Sequence, residues 1–336
     1  MSKKDQVSIF VPTFNSEITI VETIKSILDQ SYENITITII DNASIDKTVA
    51  LVKTIKDKRL SIIQNKINIG AEENFNRCLS LSQKKFTSIL HADDIYDKFF
   101  IEKQVDFFKR NHDVGLVFTE GKMIDSSGKF IRNIEYPSIN NKISFLELFK
   151  LILKHGNFLI CPSAMLLTKV FKKWNIKWNG KKFNTSADLD VWFSISKKIC
   201  VGLLKEKLIF YRNSDLQVSN IVRGQINEPD FFKLINTYLK KDKLLKDKVT
   251  IEDHNSYQAL IMRDVVKRSL NLFINKKFKS SLFLIKSYQF KNLNKNIFSN
   301  KKNILSFLML IFLRNLNHRI LNKILSKFFK KFFKNF

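Results

Sequence analysis

The chain has 336 residues, enough for one large domain or a domain with an appendage, and its 44% apolar share is ordinary for a globular protein. Lys and Arg number 58 against 31 Asp and Glu, a net +27; solubility does not need that much, so the excess points to nucleic acid, an anionic membrane surface or a phosphorylated substrate. Three scattered cysteines, Cys78, Cys161 and Cys200, lack CxxC spacing, which argues for reduced cytoplasmic thiols and against a cysteine metal cluster.

The positive charge is uneven. Residues 265–336 hold seventeen Lys and Arg and no Asp or Glu, which leaves about ten net charges for the first 264 residues. The chain reads as a near-ordinary front and a basic, Phe-rich tail. Glycine is scarce at 8, while Lys, Ile, Asn and Phe are abundant. That pattern reflects A/T-rich codons in part, so no single Lys or Asn counts as a signal. Residues 1–6 (MSKKDQ) lead straight into a strand and read as lacking a signal peptide.

Residues 7–11 (VSIFV) form a β-rich run closed by Pro12. Residues 16–30 show helical periodicity through Ile20, Ile24, Ile27 and Leu28. A second strand, 35–40 (ITITII), ends at Asp41, and Asp46 can cap a helix over 48–55. A third strand covers 60–63, and a helix over 71–81 puts Phe75, Cys78 and Leu79 on one face. Residues 86–90 form a fourth strand that runs into His91-Ala92-Asp93-Asp94. This alternation predicts a parallel sheet with helices on its faces. Ligands bind outside the carboxyl ends of such strands. Those ends carry Pro12-Thr13, Asp41-Asn42, residues 65–68 and residues 91–94.

Further along, a helix is expected over 99–110, a strand over 114–119 and a turn at 125–128 (DSSG). A helix over 144–154 follows, then strands at 164–168 and 207–211 with a helix over 189–197 between them. From 229 onward the pattern is almost all helical.

Asp93-Asp94 alone reads as a helix cap or a solvated turn. Its chemical alternative is a hard divalent cation shared with phosphate oxygens. Residues 10–17 (FVPTFNSE) and 39–48 (IIDNASIDKT) each have a local explanation, a Pro-closed strand end and an Asx turn before a capped helix. Their joint occurrence, in order and at strand ends, is not explained by turns.

Together these runs resemble glycosyltransferase family 2, the inverting GT-A group that builds bacterial surface polysaccharides. The resemblance rests on Pro12-Thr13-Phe14-Asn15, on the run from Asp41 to Thr48, and on Asn68-Ile69-Gly70 with Asn74. It continues through His91 to Asp94, Asp188-Leu189-Asp190-Val191-Trp192 and Tyr211-Arg212, and spans roughly residues 6–220. It implies a GT-A fold: an α/β architecture with a Rossmann-like, mostly parallel central sheet flanked by helices, here with a C-terminal helical extension. It also implies roles. Pro12, Thr13, Asn15, Asp41, Asn74, Ala92 and Arg212 would meet the nucleotide sugar, with Asp41 accepting from a base N–H. Asp93 would ligate Mg2+ or Mn2+, and Asp188 would be the general base. Displacement at an anomeric carbon needs an activated acceptor hydroxyl and a stabilised diphosphate, which a carboxylate and a cation supply.

The chain departs from the family pattern at three positions. His91 stands where many relatives have Asp, Ala187 replaces an acidic residue before the base, and Ser214 lies where a His often follows Tyr-Arg. Arg212 could compensate by pairing with a phosphate oxygen. Residues 158–164 (FLICPSA) face the acceptor in the family; the local alternative is a buried approach to a strand with an X-Pro bend. Cys161 has no His partner nearby in sequence and is not read as a nucleophile.

In the tail, Ile320, Leu321, Ile324, Leu325, Phe328, Phe329, Phe332 and Phe333 fall on one helical stripe. Lys323, Lys327, Lys330, Lys331 and Lys334 lie mostly opposite, the pattern of a helix in a membrane interface. Anionic lipid adds roughly 1 kcal/mol per nearby Lys or Arg. The apolar run 304–313 is half of the roughly twenty residues a span needs, so peripheral attachment is expected. The alternative is a tail packed on the domain with Lys outward. Nucleic acid is disfavoured because the Phe residues group as for burial and not over a stacking platform.

The expected organisation is a glycosyltransferase domain over 1–225, with a nucleotide-sugar half (1–97) and an acceptor half (98–225), then a basic helical tail over 226–336. The expected function is inverting, metal-dependent transfer from a nucleotide-sugar donor, UDP-linked by preference, to a glycan or lipid-linked acceptor. The expected place is cytoplasmic, at the inner face of a bacterial cell membrane. The rival expectations are a catalytically inactive GT-A-like glycan- or membrane-binding module and a basic nucleic-acid-binding protein.

Overall fold

The computed structural model describes residues 5–137, 139–213, 224–289 and 300–315. The chain divides into two compact units, Met1–Phe149 with Asn157–Ser214, and Lys150–Gly156 with Asp215–Phe336.

The front of the chain alternates β1 (Val7–Thr13), α1 (Ile20–Leu28), β2 (Ile35–Asp41), α2 (Thr48–Thr54), β3 (Leu60–Gln64), α3 (Ala71–Leu81) and β4 (Phe86–Ile89). These strands lie in the order β3-β2-β1-β4 and are all parallel. Val7, Ile9 and Val11 on one face of β1 and Ser8 and Phe10 on the other are all buried, as befits a central strand covered on both faces. The chain steps outward from β1 to β3, then returns to lay β4 on the other side of β1. That reversal opens a crevice at the carboxyl ends of β1 and β4.

The chain continues through β5 (Ile95–Tyr96), α4 (Phe100–Arg110), β6 (Val114–Ile124), β7 (Phe130–Ile134), β8 (Lys142–Ile143) and α5 (Phe145–His155). A 3-10 turn at Cys161–Ser163 precedes β9 (Met165–Leu167) and α6 (Thr168–Lys173). Then come α7 (Gly180–Phe183), α8 (Ala187–Ser196) and β10 (Cys200–Arg212). β9 joins the sheet antiparallel between β4 and β6, and β10 lies parallel to β6. The short strands β5, β7 and β8 pair antiparallel at the margins.

Two strands outrun their sequence expectation. The strand expected over 114–119 continues to Ile124, and the one expected over 207–211 begins at Cys200. Both extensions pass through charged residues, where the apolar pattern stops. Glu120 is nevertheless buried, because its carboxylate accepts the Tyr136 N–H at 2.9 Å and lies 4.0 Å from Lys207 Nζ. A charge so partnered can be buried in a sheet. The register of β10 on β6 shifts on both sides of Lys207, as at a bulge.

The second unit is helical, with α9 (Asp230–Lys241), α10 (Lys243–Lys248), α11 (Ile251–Ile274), α12 (Phe278–Ser287) and α13 (Lys301–Asn315). Thr250 and Asp253 close a reciprocal capping box at the start of α11. Met262, Val266, Leu284, Ile285 and Leu310 share one core cluster. Among the described residues no helix is long and apolar enough to cross a membrane. Ser214 and the stripe expected over 320–333 lie outside the described residues.

Candidate active site

The two N-terminal motifs are partners of each other. Asn15 takes a left-handed φ of 47°. Its N–H donates to Ser44 Oγ at 2.9 Å, and its side-chain oxygen accepts the Ile45 N–H at 3.0 Å. The Ser16 N–H donates to Thr48 Oγ1 at 2.7 Å, and the Glu17 N–H to Asp46 Oδ2 at 3.1 Å. These bonds zip the loop after β1 to the loop after β2. Asn15, expected at the ligand, thus uses its side-chain oxygen within this zip. Pro12 is half-buried, and the buried Thr13 bonds its hydroxyl to the Val11 carbonyl and accepts the Asn42 N–H.

Asp41 pairs in register with Thr13 across the ends of β2 and β1. It is fully buried; Oδ2 accepts the Ser44 N–H at 3.2 Å, while Oδ1 has no hydrogen-bond partner. A buried acceptor left open costs stability until a donor meets it.

A chain of asparagines closes the loops after β2 and β3. Asn42 donates to Asn68 Oδ1 at 2.8 Å, and its own Oδ1 accepts from Asn65 Nδ2 at 2.8 Å and from the Ile69 N–H at 3.0 Å. Asn65 Nδ2 also reaches Asn74 Oδ1 at 3.0 Å, and Asn74 Nδ2 donates to the Ile40 carbonyl at 2.9 Å. Asn74, expected at the nucleotide sugar, is buried with both ends of its amide engaged within the protein, where it holds these loops together.

At the end of β4, one ligand atom each from His91, Asp93 and Asp94 lies within 4.8 Å of the others. Asp94 is fully buried, with Oδ1 accepting the Arg212 N–H at 2.8 Å. Its Oδ2 lacks a hydrogen-bond partner and sits 4.0 Å from His91 Nδ1, and His91 Nε2 is likewise buried and unpartnered. Burial, then the charge of Asp93, holds the Asp94 carboxyl well above the usual carboxylate range, and burial lowers the His91 pKa. Both directions come first from burial; the three ligand atoms converging within 4.8 Å make a donor set that fits a divalent cation. Ala92 is buried and its carbonyl accepts from the Thr19 and Thr23 hydroxyls at 2.9 and 3.0 Å. The Tyr96 hydroxyl accepts the His91 N–H at 2.9 Å.

Arg212, expected at a phosphate oxygen, makes its described bonds within the protein. It is 4% exposed. Its Nε donates to the Asp93 carbonyl at 2.8 Å, Nη1 to the Ser126 carbonyl at 3.0 Å, and Nη2 to Glu22 Oε2 at 2.6 Å. The guanidinium is a strut beneath the 93–94 turn. Nothing in the sequence joined Arg212 to Glu22, 190 positions away.

Asp188 stands in the first turn of α8, with Oδ1 accepting the Leu189 N–H at 2.7 Å. Burial pushes its carboxyl up to about 6, against a hydrogen bond from the Cys161 thiol. The Tyr211 phenol is raised by burial and then by the charges of Asp94, Asp93 and, more weakly, Asp188. Asp188 and the carboxylates at the end of β4 therefore act on one neighbourhood. Phe75 stacks on Trp178 with centroids 5.4 Å apart and meets the His91 ring edge-on at 5.7 Å. Trp178 is pinned by paired backbone bonds to the Asn76 amide at 2.9 and 3.0 Å. Sequence reading missed Trp178, because only the fold brings it to α3.

Residues 8–174 match the model of the glycosyl transferase family 2. An uncharacterized glycosyltransferase of Methanocaldococcus jannaschii is 30% identical over 230 residues, 66% of this chain and 77% of that protein. One from Haemophilus influenzae is 30% identical over 232 residues, 66% of this chain and 70% of that protein. Among solved structures, S. aureus TarS 1–349 in complex with UDP-GlcNAc gives a TM-score of 0.55 at 14% identity, covering 92% of this chain and 89% of that one, a likeness of fold. The motifs at the strand ends, the GT-A architecture and these relatives agree: the chain belongs to glycosyltransferase family 2.

Proposed function

We propose that this glycosyltransferase moves a sugar from a nucleotide-sugar donor to a glycan or lipid-linked acceptor, with inversion and with Mg2+ or Mn2+. The work would belong to bacterial surface polysaccharide synthesis at the inner face of the membrane. The observation that carries the reading is the His91, Asp93 and Asp94 group, whose ligand atoms lie within 4.8 Å at the end of β4, beside the crevice.

Asp93, with His91 and Asp94, would hold the cation, which supplies neutralisation of the charge that develops on the diphosphate leaving group. Asp41 offers its open Oδ1 to a base N–H, with Thr13 and Pro12 shaping the same strand ends. Asn15, Asn74, Ala92 and Arg212 keep the surrounding loops in place through the bonds described above. Asp188 takes the proton from the acceptor hydroxyl, and a carboxyl near 6 is poised for that at neutral pH. TarS was solved with UDP-GlcNAc, so UDP-linked donors are the first to try.

The test is a screen of UDP-, GDP- and dTDP-sugars with Mg2+ or Mn2+, on wild type and Asp93→Asn. Metal-dependent turnover of one donor, lost in the variant, is the expected result. Absence of nucleotide binding with either ion would refute the reading.

A further inference from the structure

The outward side of α13 is apolar where a surface helix is normally charged. On its inward side Asn303, Leu310 and Leu313 are buried, and the two leucines join the cluster that holds Met262 and Ile285. Opposite them Ile304 is 40% exposed, Leu305 43%, Leu308 56%, Ile311 38% and Phe312 44%. The spacing i, i+1, i+4, i+7, i+8 puts these five on one side of the helix. Its 15 described residues make about 22 Å of length, short of a hydrocarbon core of about 30 Å.

Charge selects the occupant of this face. Lys301 and Lys302 open the helix and are exposed, Arg314 lies in its last turn, and no acidic residue occurs in it. From residue 265 to the end the chain has seventeen Lys and Arg and no Asp or Glu. A second copy, or the residues after Asn315, would bring like charge to the face. An anionic bilayer brings hydrocarbon and opposite charge together.

We propose that the outward face of α13 docks on an anionic membrane surface. Ile304, Leu305, Leu308, Ile311 and Phe312 enter the boundary of headgroups and acyl chains, and Lys301 and Lys302 meet lipid phosphates. The proposal names the contact beneath the membrane placement given under the proposed function and rests on that placement, not on the transfer chemistry.

The test is co-sedimentation of the full chain with phosphatidylcholine vesicles carrying about 30% phosphatidylglycerol, and with phosphatidylcholine alone. Leu308→Glu with Phe312→Glu is compared with the tail pair Lys330→Glu and Lys331→Glu. Circular dichroism checks the fold and donor turnover checks the catalytic unit. We expect wild type to bind only the anionic vesicles and the helix variant to partition about tenfold less or weaker, with turnover unchanged. Wild-type binding by the helix variant overturns the proposal, as does loss of binding confined to the tail variant. A wild-type dimer that the helix variant turns into a monomer assigns the face to a second copy instead. Failure of the donor screen alone would bear on the catalytic reading and leave the docking intact.

Discussion

Replacing Arg212 by Met separates two roles that one arginine could play. Two short bonds hold backbone carbonyls, Nε to Asp93 at 2.8 Å and Nη1 to Ser126 at 3.0 Å. A longer bond reaches the Asp125 carbonyl at 3.4 Å and adds little. The Glu22 pair is short, yet the Glu22 side chain is 56% exposed, so water screens it and it contributes about 0–1 kcal/mol. Each short bond from a charged donor is worth about 1.5–3 kcal/mol. The expected loss is therefore about 3–7 kcal/mol, or roughly 6–28 °C in the thermal midpoint of the catalytic unit. Arg212→Lys keeps the charge but has one nitrogen and cannot reach all these acceptors, so it should lose about half as much. Scanning calorimetry reads the stability, and steady-state kinetics on the identified donor reads KM. A phosphate partner would behave differently: Arg212→Met would melt like wild type and raise donor KM. That outcome would refute the strut.

Asp188→Asn should cut kcat by about 10²–10⁴ while leaving nucleotide affinity within twofold, measured by titration calorimetry. The wild-type kcat/KM should fall with unit slope below pH 6, the value to which burial pushes the Asp188 carboxyl. Stability should move the other way. A carboxyl raised from 3.8 to about 6 keeps its proton longer in the folded state, so stability declines as pH rises through that window. Asp188→Asn should then melt higher above pH 6 by up to about 2–3 kcal/mol and match wild type near pH 4. Asp93→Asn should abolish the protective effect of Mn2+ on the thermal midpoint, a readout independent of turnover. Asn65→Ala strips partners from Asn42 and Asn74; a loss of about 2–4 kcal/mol is expected by urea unfolding, and an unchanged midpoint would show that the loops hold without it.

Short-range pattern determined much of this protein. β1 reads as a strand from its β-rich run VSIFV and β2 from the Ile and Thr residues of ITITII, and α3 reads as a helix because Phe75, Cys78 and Leu79 fall on one face. The same pattern placed Thr13, Asp41 and Asp93 at strand ends, where a parallel sheet puts its ligands. It failed where charge interrupts a strand, as at Glu120 and Lys207, because burial there depends on partners that local sequence does not contain.

Tertiary structure alone decided which polar atoms stay open. The sequence treats Asp41, Asn74 and Arg212 alike, as polar residues in recognisable motifs. The fold leaves Asp41 Oδ1 without a partner, closes both ends of the Asn74 amide, and surrounds Arg212 with the Asp93 and Ser126 carbonyls and Glu22. It likewise set Trp178 against Phe75 beside His91. A helix or strand is fixed by sterics and apolar spacing over a few residues, which a sequence displays directly. Hydrogen-bond satisfaction is settled between groups as far apart as residues 22 and 212, so it exists only once the chain has folded.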